Sequence, residues 1–492
     1  MSEFPFGAVL VANRGEIAAR VLRSVKALGL RALLVAHPVD EGAPALALAD
    51  EVRWIEGATP VAAFLDGAQI IAAAKEMGAG AIHPGYGFLS ENSAFARAVA
   101  EAGLVFVGPA PDSIELMGDK VRARNFVEQR GFPVAPSAIE DDDPATFTER
   151  ARAVGAPLLI KPSAGGGGKG MRIVRDLTLL DEEIVRARSE GERYFGDGRL
   201  FVERYIERPR HIEVQVLGDA HGNVVHLFER ECSLQRRFQK IVEEAPSPAL
   251  GEEERQRICE AAAGIARAAG YVNAGTVEFI YGQGGEFYFL EMNTRLQVEH
   301  PVTEAITGLD LVAEQLRVAA GHKLPFEQTD IKRHGHAVEL RIYAEDSNRD
   351  FAPTTGPVLR LEIPEGARFD AGVAQGGAVS SAFDPMIGKL IVHGTDRAEA
   401  LGRADAALAN LVLLGLHTNI GYLRRLIADP DVAAGNMHTG LIGEKPDLMA
   451  DPPPSGTMLA KLVAIGALSI PDVREVADRV PTLHAAIGGW RN

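Results

Sequence analysis

The sequence predicts a chain that begins as an α/β protein with a parallel sheet and ends as an α+β protein. Three stretches carry that prediction: a strand–helix–strand unit over residues 8–36, a hairpin over 276–293, and a strand of alternating side chains over 337–344. In the first, residues 8–12 are an apolar run and 13–16 a loop. Ile17, Val21, Leu22, Val25 and Leu28 then recur on one helical face, Gly29 ends the helix, and 33–36 is the returning strand. A βαβ unit predicts a parallel sheet. The loop holds one glycine and no G-x-G-x-x-G, which gives a dinucleotide-binding turn little support. Arg20 and Arg23 fall on the polar side of the helix and read as a solvated face.

Residues 68–77 read as a helix, 81–82 and 105–107 as strands, with a domain edge near Asp112. The stiff turn 83–88 ends a strand at its carboxyl end, where parallel sheets tend to present ligand loops; a purely structural turn fits equally well. Residues 117–120 open a helix that runs to Gln129. Two apolar strands, 158–161 and 171–174, flank Gly165, Gly166, Gly167 and Gly168. Four consecutive glycines leave their backbone N–H groups free to approach phosphate oxygens. A strand follows them instead of a helix, and no Ser or Thr follows Lys169, so neither a Rossmann nor a Walker loop fits. A mobile hairpin lid over a nucleotide does, with a plain flexible turn as the alternative. Residues 200–205 and 211–217 are strands, the second with His211, Glu213 and Gln215 on one face. Residues 229–240 are too mixed in charge for a core and read as readily as a solvated loop, with Lys240 at the edge of a strand. Residues 252–269 form an Ala-rich helix.

In the hairpin, residues 276–281 and 286–293 alternate polar and apolar, and 282–285 (Gly-Gln-Gly-Gly) is the turn. Folded symmetrically, it sets Glu278 opposite Glu291, about 5 Å apart. Two bare carboxylates at that distance repel, and a cation between them removes the repulsion. Glu291, Asn293 and Arg295 share one face, which suggests metal, phosphate and anion; a solvated outer face is the alternative. Further on, 309–319 is helical, 337–344 puts Glu339 and Arg341 on one face, 388–392 is a strand and 398–413 a helix. A proline-rich linker at 452–456 precedes an apolar helix over 459–468.

The 492 residues carry a net charge of -16, which argues against nonspecific binding to nucleic acid or an anionic membrane. The two cysteines, Cys232 and Cys259, lack metal-ligand spacing and fit a reducing compartment. With no secretory pattern at the start and no apolar run long enough to span a bilayer, the expectation is a cytoplasmic protein without membrane or nucleic-acid partners.

Residues 13–18, 83–92, 117–120, 160–171, 203–216, 235–240, 291–304 and 383–390, in this order and spacing, resemble biotin carboxylase, a member of the ATP-grasp ligase superfamily. The resemblance implies an ATP-grasp fold with four parts: a Rossmann-like N-terminal domain over 1–115, an ATP-grasp domain over 116–335 with a glycine-loop lid at about 132–203, an α+β C-terminal domain over 336–447, and a linker and helical tail over 448–492. It implies ATP-dependent carboxylation of biotin by bicarbonate through carboxyphosphate, the first half-reaction of an acyl-CoA carboxylase. The alternatives are the corresponding subunit of a pyruvate carboxylase or another ligase acting through an acyl phosphate. The implied cofactors are ATP, Mg²⁺ (or Mn²⁺) and biotin on a biotin carboxyl carrier protein; the implied partners are bicarbonate, that carrier, a carboxyltransferase subunit and a second copy of the chain.

By resemblance, Lys120 and Lys161 contact ATP phosphates under Gly165–Gly168 and Met171. Glu203, Tyr205 and Ile206 line the adenine pocket, with His211 at the ribose and Gln235 nearby. Glu278, Glu291 and Asn293 form the metal site. Lys240, Arg295, Gln297 and the backbone of Val298 hold bicarbonate, Glu299 is its base, and Arg341 stabilises the biotin enolate, with Tyr86 and Asp384 on the biotin side. Arg20 and Arg23 fall near the homodimer contact. Phe238 and Phe383 depart from the His and Tyr common at those places, and no Met-Lys-Met motif is present, so biotin is expected on a separate carrier. The tail helix is expected to dock that carrier or the carboxyltransferase.

Overall fold

A computed structural model describes residues 4–140, 143–162, 171–195, 198–237, 239–452 and 456–468. The glycine run Gly165–Gly168, Phe238 and most of the tail lie outside the described residues.

The first sheet has five strands, all parallel, in the order Glu51–Trp54, Arg31–Ala36, Ala8–Val11, Ala81–His83, Val105–Phe106. Helix Gly15–Ala27 makes the first crossover and buries Ile17, Val21, Leu22 and Val25, as their spacing predicts. Strand order reverses between Ala8–Val11 and Ala81–His83, so the loops beyond those two strands flank one crevice. Asn13 ties the loops together, its Nδ2 donating to the carbonyls of Pro84 (2.7 Å) and Tyr86 (2.8 Å). Gly85 has a φ of +64°, and a Cβ there would lie 2.8 Å from the Asn13 amide nitrogen, so the turn requires glycine.

Arg20 does not lie on a solvated face. It is buried, with Nη2 donating to Glu304 (2.6 Å) and Asp310 (2.8 Å) and Nη1 to Ser24 (2.5 Å). The polar stripe of this helix faces later parts of the chain, which helical periodicity alone does not reveal. Arg23 is exposed and 3.5 Å from Asp370. Arg20→Met therefore lowers stability by roughly 3–5 kcal/mol, because Glu304 and Asp310 lose a buried partner. Arg23→Met changes it by about 0.5 kcal/mol at most. Urea midpoints of the two variants check the contrast.

The second sheet has eight antiparallel strands, in the order Phe287–Asn293, Asn273–Tyr281, Arg210–Gly218, Val224–Arg236, Gln239–Ala245, His336–Tyr343, Met386–Gly394, Arg368–Ala371. It continues unbroken past residue 336. One face is apolar: Ile212, Val214, Val216, Val277 and Phe279 share a core with Ile258, Cys259 and Ala262 of helix Glu252–Ala268. The charge-dense run that reads as a solvated loop is instead the end of strand Val224–Arg236, mid-sheet and mostly buried. Buried charges are tolerated where each has a partner. Glu229 accepts from Arg255 (2.8 Å), and Glu231 from Ser233 (2.6 Å) and Arg210 (3.2 Å).

A third, four-stranded sheet, ordered Ser137–Ile139, Leu200–Arg204, Leu158–Pro162, Arg172–Val174, carries the flanks of the glycine run. Leu158 pairs with Val174 antiparallel, as a hairpin requires. Helix Arg397–Asn410 ends earlier than its periodicity suggests, because Val412–Leu414 pairs as a strand with Arg360–Glu362. In helix Gly456–Leu468, residues 456–467 are exposed.

Candidate active site

The polar face of the eight-stranded sheet aligns Glu291, Glu278, Glu213 and Arg230 as directly opposed residues across four strands. The predicted pairing of Glu278 with Glu291 is present, but symmetry does not produce it. Phe279 pairs with Phe289 and Glu278 with Glu291, so Leu290 bulges out and is exposed. Without the bulge, Glu278 would meet Leu290.

The segment after the hairpin holds a helix that alternation does not announce. His300–Thr307 begins at Glu299 and closes at Gly308, whose φ is +74°. Pro301 in its first turn and the closing glycine are the signals that could have found it. This helix brings Glu299 back onto the sheet.

Lys240 lies at the centre. Its Nζ donates to Glu213 Oε2 (2.5 Å), Glu299 Oε1 (2.6 Å) and Glu278 Oε1 (3.0 Å). Arg341 grips the other oxygen of Glu299 through Nη2 (3.0 Å) and Glu243 through Nε (2.5 Å). Glu278 Oε1 also accepts from Asn293 Nδ2 (2.9 Å) and Gln297 Nε2 (2.8 Å), and its Oε2 lies 3.0 Å from His211 Nε2. Arg230 is fully buried and spends its donors on Glu213 (2.5 Å), Gln297 (2.7 Å), Gln215 (2.8 Å), Thr303 (2.9 Å) and Thr276 (3.2 Å). An arginine only donates, so this contact fixes Gln297 with its oxygen towards Arg230 and its NH₂ towards Glu278.

Burial works against every charge here, and the partners overcome it. Lys240 and Arg230 hold Glu213, and Lys240 and His211 hold Glu278, well below the usual carboxylate range. Burial and Glu213 push Glu299 up, but Lys240, Arg341 and Arg230 leave it below its ordinary value. Burial pulls His211 down, yet Glu278 lifts it to about 9.

The other expected residues sit around this cluster. Glu291 pairs with the exposed Lys120 (2.7 Å), and Lys161 with Glu203 on the neighbouring strand. Tyr205 and Ile206 are half-buried just beyond that strand, and Tyr205 N–H donates to the Pro157 carbonyl (2.9 Å). Gln235 pairs in register with Lys240 and donates to the Cys232 carbonyl (3.2 Å). Met171 is exposed just before strand Arg172–Val174. Arg295 Nε is held by Glu91 (2.8 Å), and its Nη2 donates to Asn293 (3.0 Å). The Val298 carbonyl accepts from Lys389 (2.7 Å), which also lies 3.1 Å from Glu16; the Tyr86 hydroxyl donates to Glu16 as well. Asp384 stays outside the ion cluster, exposed and accepting the Met386 N–H (2.9 Å). Phe383 packs its ring under the Arg14 guanidinium (3.9 Å).

Arg230, Glu243, Lys389, Glu16 and Glu91 escape sequence reasoning as site residues. Each is an ordinary charge in its own element and becomes functional only through strands or loops remote in sequence.

The oxygen-rich donor set of Glu278, Glu291 and Asn293 fits a hard divalent cation. His211, Glu213 and Glu278 also present ligand atoms within 4.8 Å of one another.

The architecture and the ion cluster together define an ATP-grasp ligase. Residues 119–327 match the carbamoyl-phosphate synthase L chain ATP-binding domain, and residues 5–114 and 339–444 match the biotin carboxylase N-terminal and C-terminal domains. Biotin carboxylase 2 of Bacillus subtilis is 46% identical over 440 residues, covering 89% of this chain and 99% of that protein. The mitochondrial methylcrotonoyl-CoA carboxylase subunit alpha of Dictyostelium discoideum is 45% identical over 493 residues, 99% of this chain. The chain spans 61% to 70% of the length of the methylcrotonoyl-CoA carboxylase alpha subunits it matches. Among solved structures, the biotin carboxylase domain dimer of Hydrogenobacter thermophilus 2-oxoglutarate carboxylase, in complex with MgADP, ADP and bicarbonate, superposes with a TM-score of 0.81 at 43% identity. That match covers 91% of this chain and 99% of that one. The chain belongs to the biotin carboxylase family and is an ATP-dependent ligase. Among the described residues, no helix is long and apolar enough to cross a membrane.

Proposed function

We propose that the chain makes carboxyphosphate from ATP and bicarbonate and carboxylates biotin carried on a separate protein. The observation that supports this reading most is Glu299, a buried carboxylate with Lys240 on one oxygen and Arg341 on the other. A base, a cation for bicarbonate and a cation for the biotin side are thus in contact.

Bicarbonate is received by Lys240, Arg295, Gln297 and the backbone of Val298. As it draws Lys240 towards itself, Glu299 loses part of the positive field that holds its pKa down, becomes a stronger base and takes the bicarbonate proton. The bicarbonate oxygen then attacks the γ-phosphorus of ATP and ADP leaves. Such a transfer depends on alignment and charge neutralisation. Carboxyphosphate breaks down to carbon dioxide and phosphate. The phosphate takes the ureido proton of biotin, Arg341 holds the resulting enolate charge, and the ring nitrogen attacks carbon dioxide.

Lys120 and Lys161 steady the phosphates beneath the lid, while Glu203, Tyr205, Ile206, His211 and Gln235 hold the nucleoside. Glu278 and Glu291, with Asn293 beside them, hold Mg²⁺ or Mn²⁺, which when bound offsets phosphate charge. Tyr86 and Asp384 face the biotin side. Residues 1–115, 116–335 and 336–447 supply the crevice, the nucleotide site and the Arg341 side respectively, and 448–492 is a tail for the carrier or carboxyltransferase. The protein works in the cytoplasm as a homodimer. Likeness to the Dictyostelium discoideum methylcrotonoyl-CoA carboxylase subunit alpha over 99% of the chain supports the first half-reaction of an acyl-CoA carboxylase.

ATP cleavage measured with and without bicarbonate and free biotin tests the reading. Cleavage requires bicarbonate and rises with biotin; bicarbonate-independent cleavage would overturn it. Glu278→Gln lowers turnover by about 10²-fold or more. It also abolishes the Mg²⁺ dependence of ADP binding in calorimetry, whereas unchanged Mg²⁺ dependence would leave Glu278 a structural residue.

A further inference from the structure

Beside Arg341 lies a pair of carboxyl groups that the chemistry above leaves idle. Glu243, on strand Gln239–Ala245, and Glu339, on strand His336–Tyr343, are direct cross-strand partners, so their side chains leave the same face about 5 Å apart. Both are fully buried. Glu243 Oε1 accepts from Arg341, but Glu243 Oε2 and both oxygens of Glu339 accept no hydrogen bond among the described residues. The charges that face Glu339 are Lys389 on the next strand, Glu243 and Arg341 on the two paired strands, and Glu299 at the start of helix His300–Thr307; Tyr86 is its further titratable neighbour. Lys389 is committed elsewhere, to the Val298 carbonyl (2.7 Å) and Glu16 (3.1 Å). Glu213 and Glu299 each have Lys240. Glu339 has no cation bonded to it among the described residues, and a bare, buried carboxylate directly opposite another is not a stable arrangement.

We propose that Glu243 and Glu339 share a single proton, and that this pair is a positioning device for Arg341. Carrying one charge, the pair anchors Arg341 through Nε and leaves Nη2 free to exchange Glu299 for the charge that develops on biotin. Losing the proton puts a second negative charge beside the guanidinium and draws it away from the substrate side. Burial supports the assignment by lifting Glu243 to about 7 and Glu339 well above the usual carboxylate range. A carboxyl raised in this way holds its proton at low pH and releases it as pH rises, so the device fails on the alkaline side. The functional part of the proposal rests on the role given to Arg341; the shared proton does not.

Two measurements on the full chain test it. Infrared difference spectra of the substrate-free protein, titrated across neutral pH, show the carbonyl stretch of a buried protonated carboxyl, and Glu339→Gln removes it. In the pH profile of kcat, Glu339→Gln retains activity near neutrality and loses the alkaline limb, because an amide has no proton to release, while Glu339→Ala lowers kcat about tenfold or more. A merely structural role would leave that limb in place. A wild-type spectrum with no such band at neutral pH, or an alkaline limb unchanged in Glu339→Gln, overturns the proposal. Should Glu339→Gln not fold, Glu243→Gln is read in the infrared instead: a shift or loss of the band supports the shared proton, and a band unchanged in position overturns it. If instead the role of Arg341 is wrong, the wild-type band is still present and Arg341→Met keeps its biotin-stimulated ATP cleavage.

Discussion

Glu299→Gln lowers biotin-stimulated ATP cleavage by about 10²–10⁴-fold, the range that a positioned general base contributes. The side chain keeps its volume, so the site keeps its shape. What changes is that an amide has no lone pair basic enough to take a proton from bicarbonate. The Glu299 oxygens face one cation each, Lys240 at 2.6 Å and Arg341 at 3.0 Å, so the amide NH₂ must confront one of them and a charged hydrogen bond is lost. That loss lowers stability by about 1–3 kcal/mol, which a denaturation midpoint separates from the kinetic effect. Full activity in a folded Glu299→Gln would remove Glu299 as the base.

Lys240→Met lowers stability by roughly 3–5 kcal/mol at neutral pH. It takes the shared cation from three carboxylates, Glu213, Glu278 and Glu299, that are at most 5% exposed. The pH dependence has a definite sign. Glu213 and Glu278 are held below the usual range in the folded protein, so what they contribute is present above an unfolded value of about 4.3 and is lost as pH falls through their folded values. The gap between wild type and Lys240→Met is therefore wide at neutral pH and narrows under acid. Bicarbonate-dependent turnover falls by about 10²-fold as well, since the bicarbonate charge loses its counter-ion. Urea denaturation at several pH values checks the first effect. A gap that widens under acid would mean the three carboxylates do not depend on Lys240.

Most elements of the fold were legible because periodicity reports burial. The strand–helix–strand start, the hairpin and the strand carrying Arg341 each show their period plainly, and the cation candidates Glu278 and Glu291 follow from it, whereas the bicarbonate residues follow only from the resemblance to biotin carboxylase. What was hidden has one physical cause. A charged residue in the core looks like a charged residue in water until its partner is known, and the partner is usually remote. Arg20 read as solvated because Glu304 and Asp310, which bury it, come nearly three hundred residues later. The run 229–240 read as a loop because the ions of Arg230 and Lys240 are satisfied by Glu213, Glu278 and Glu299 on other elements. The bulge at Leu290 shows in the sequence only as the apolar run 287–290 and the switch of core-facing parity from Phe289 to Met292, although it decides that Glu278 faces Glu291.

In the proposed sequence of steps, bicarbonate attacks ATP before biotin is carboxylated. Turnover with bicarbonate labelled in all its oxygens by a heavy isotope tests it most directly, with the released phosphate analysed by mass spectrometry. One labelled oxygen is expected in each phosphate released, because the bond from bicarbonate oxygen to phosphorus survives the breakdown of carboxyphosphate. Phosphate that carries no label, or oxygen drawn only from water, would contradict it.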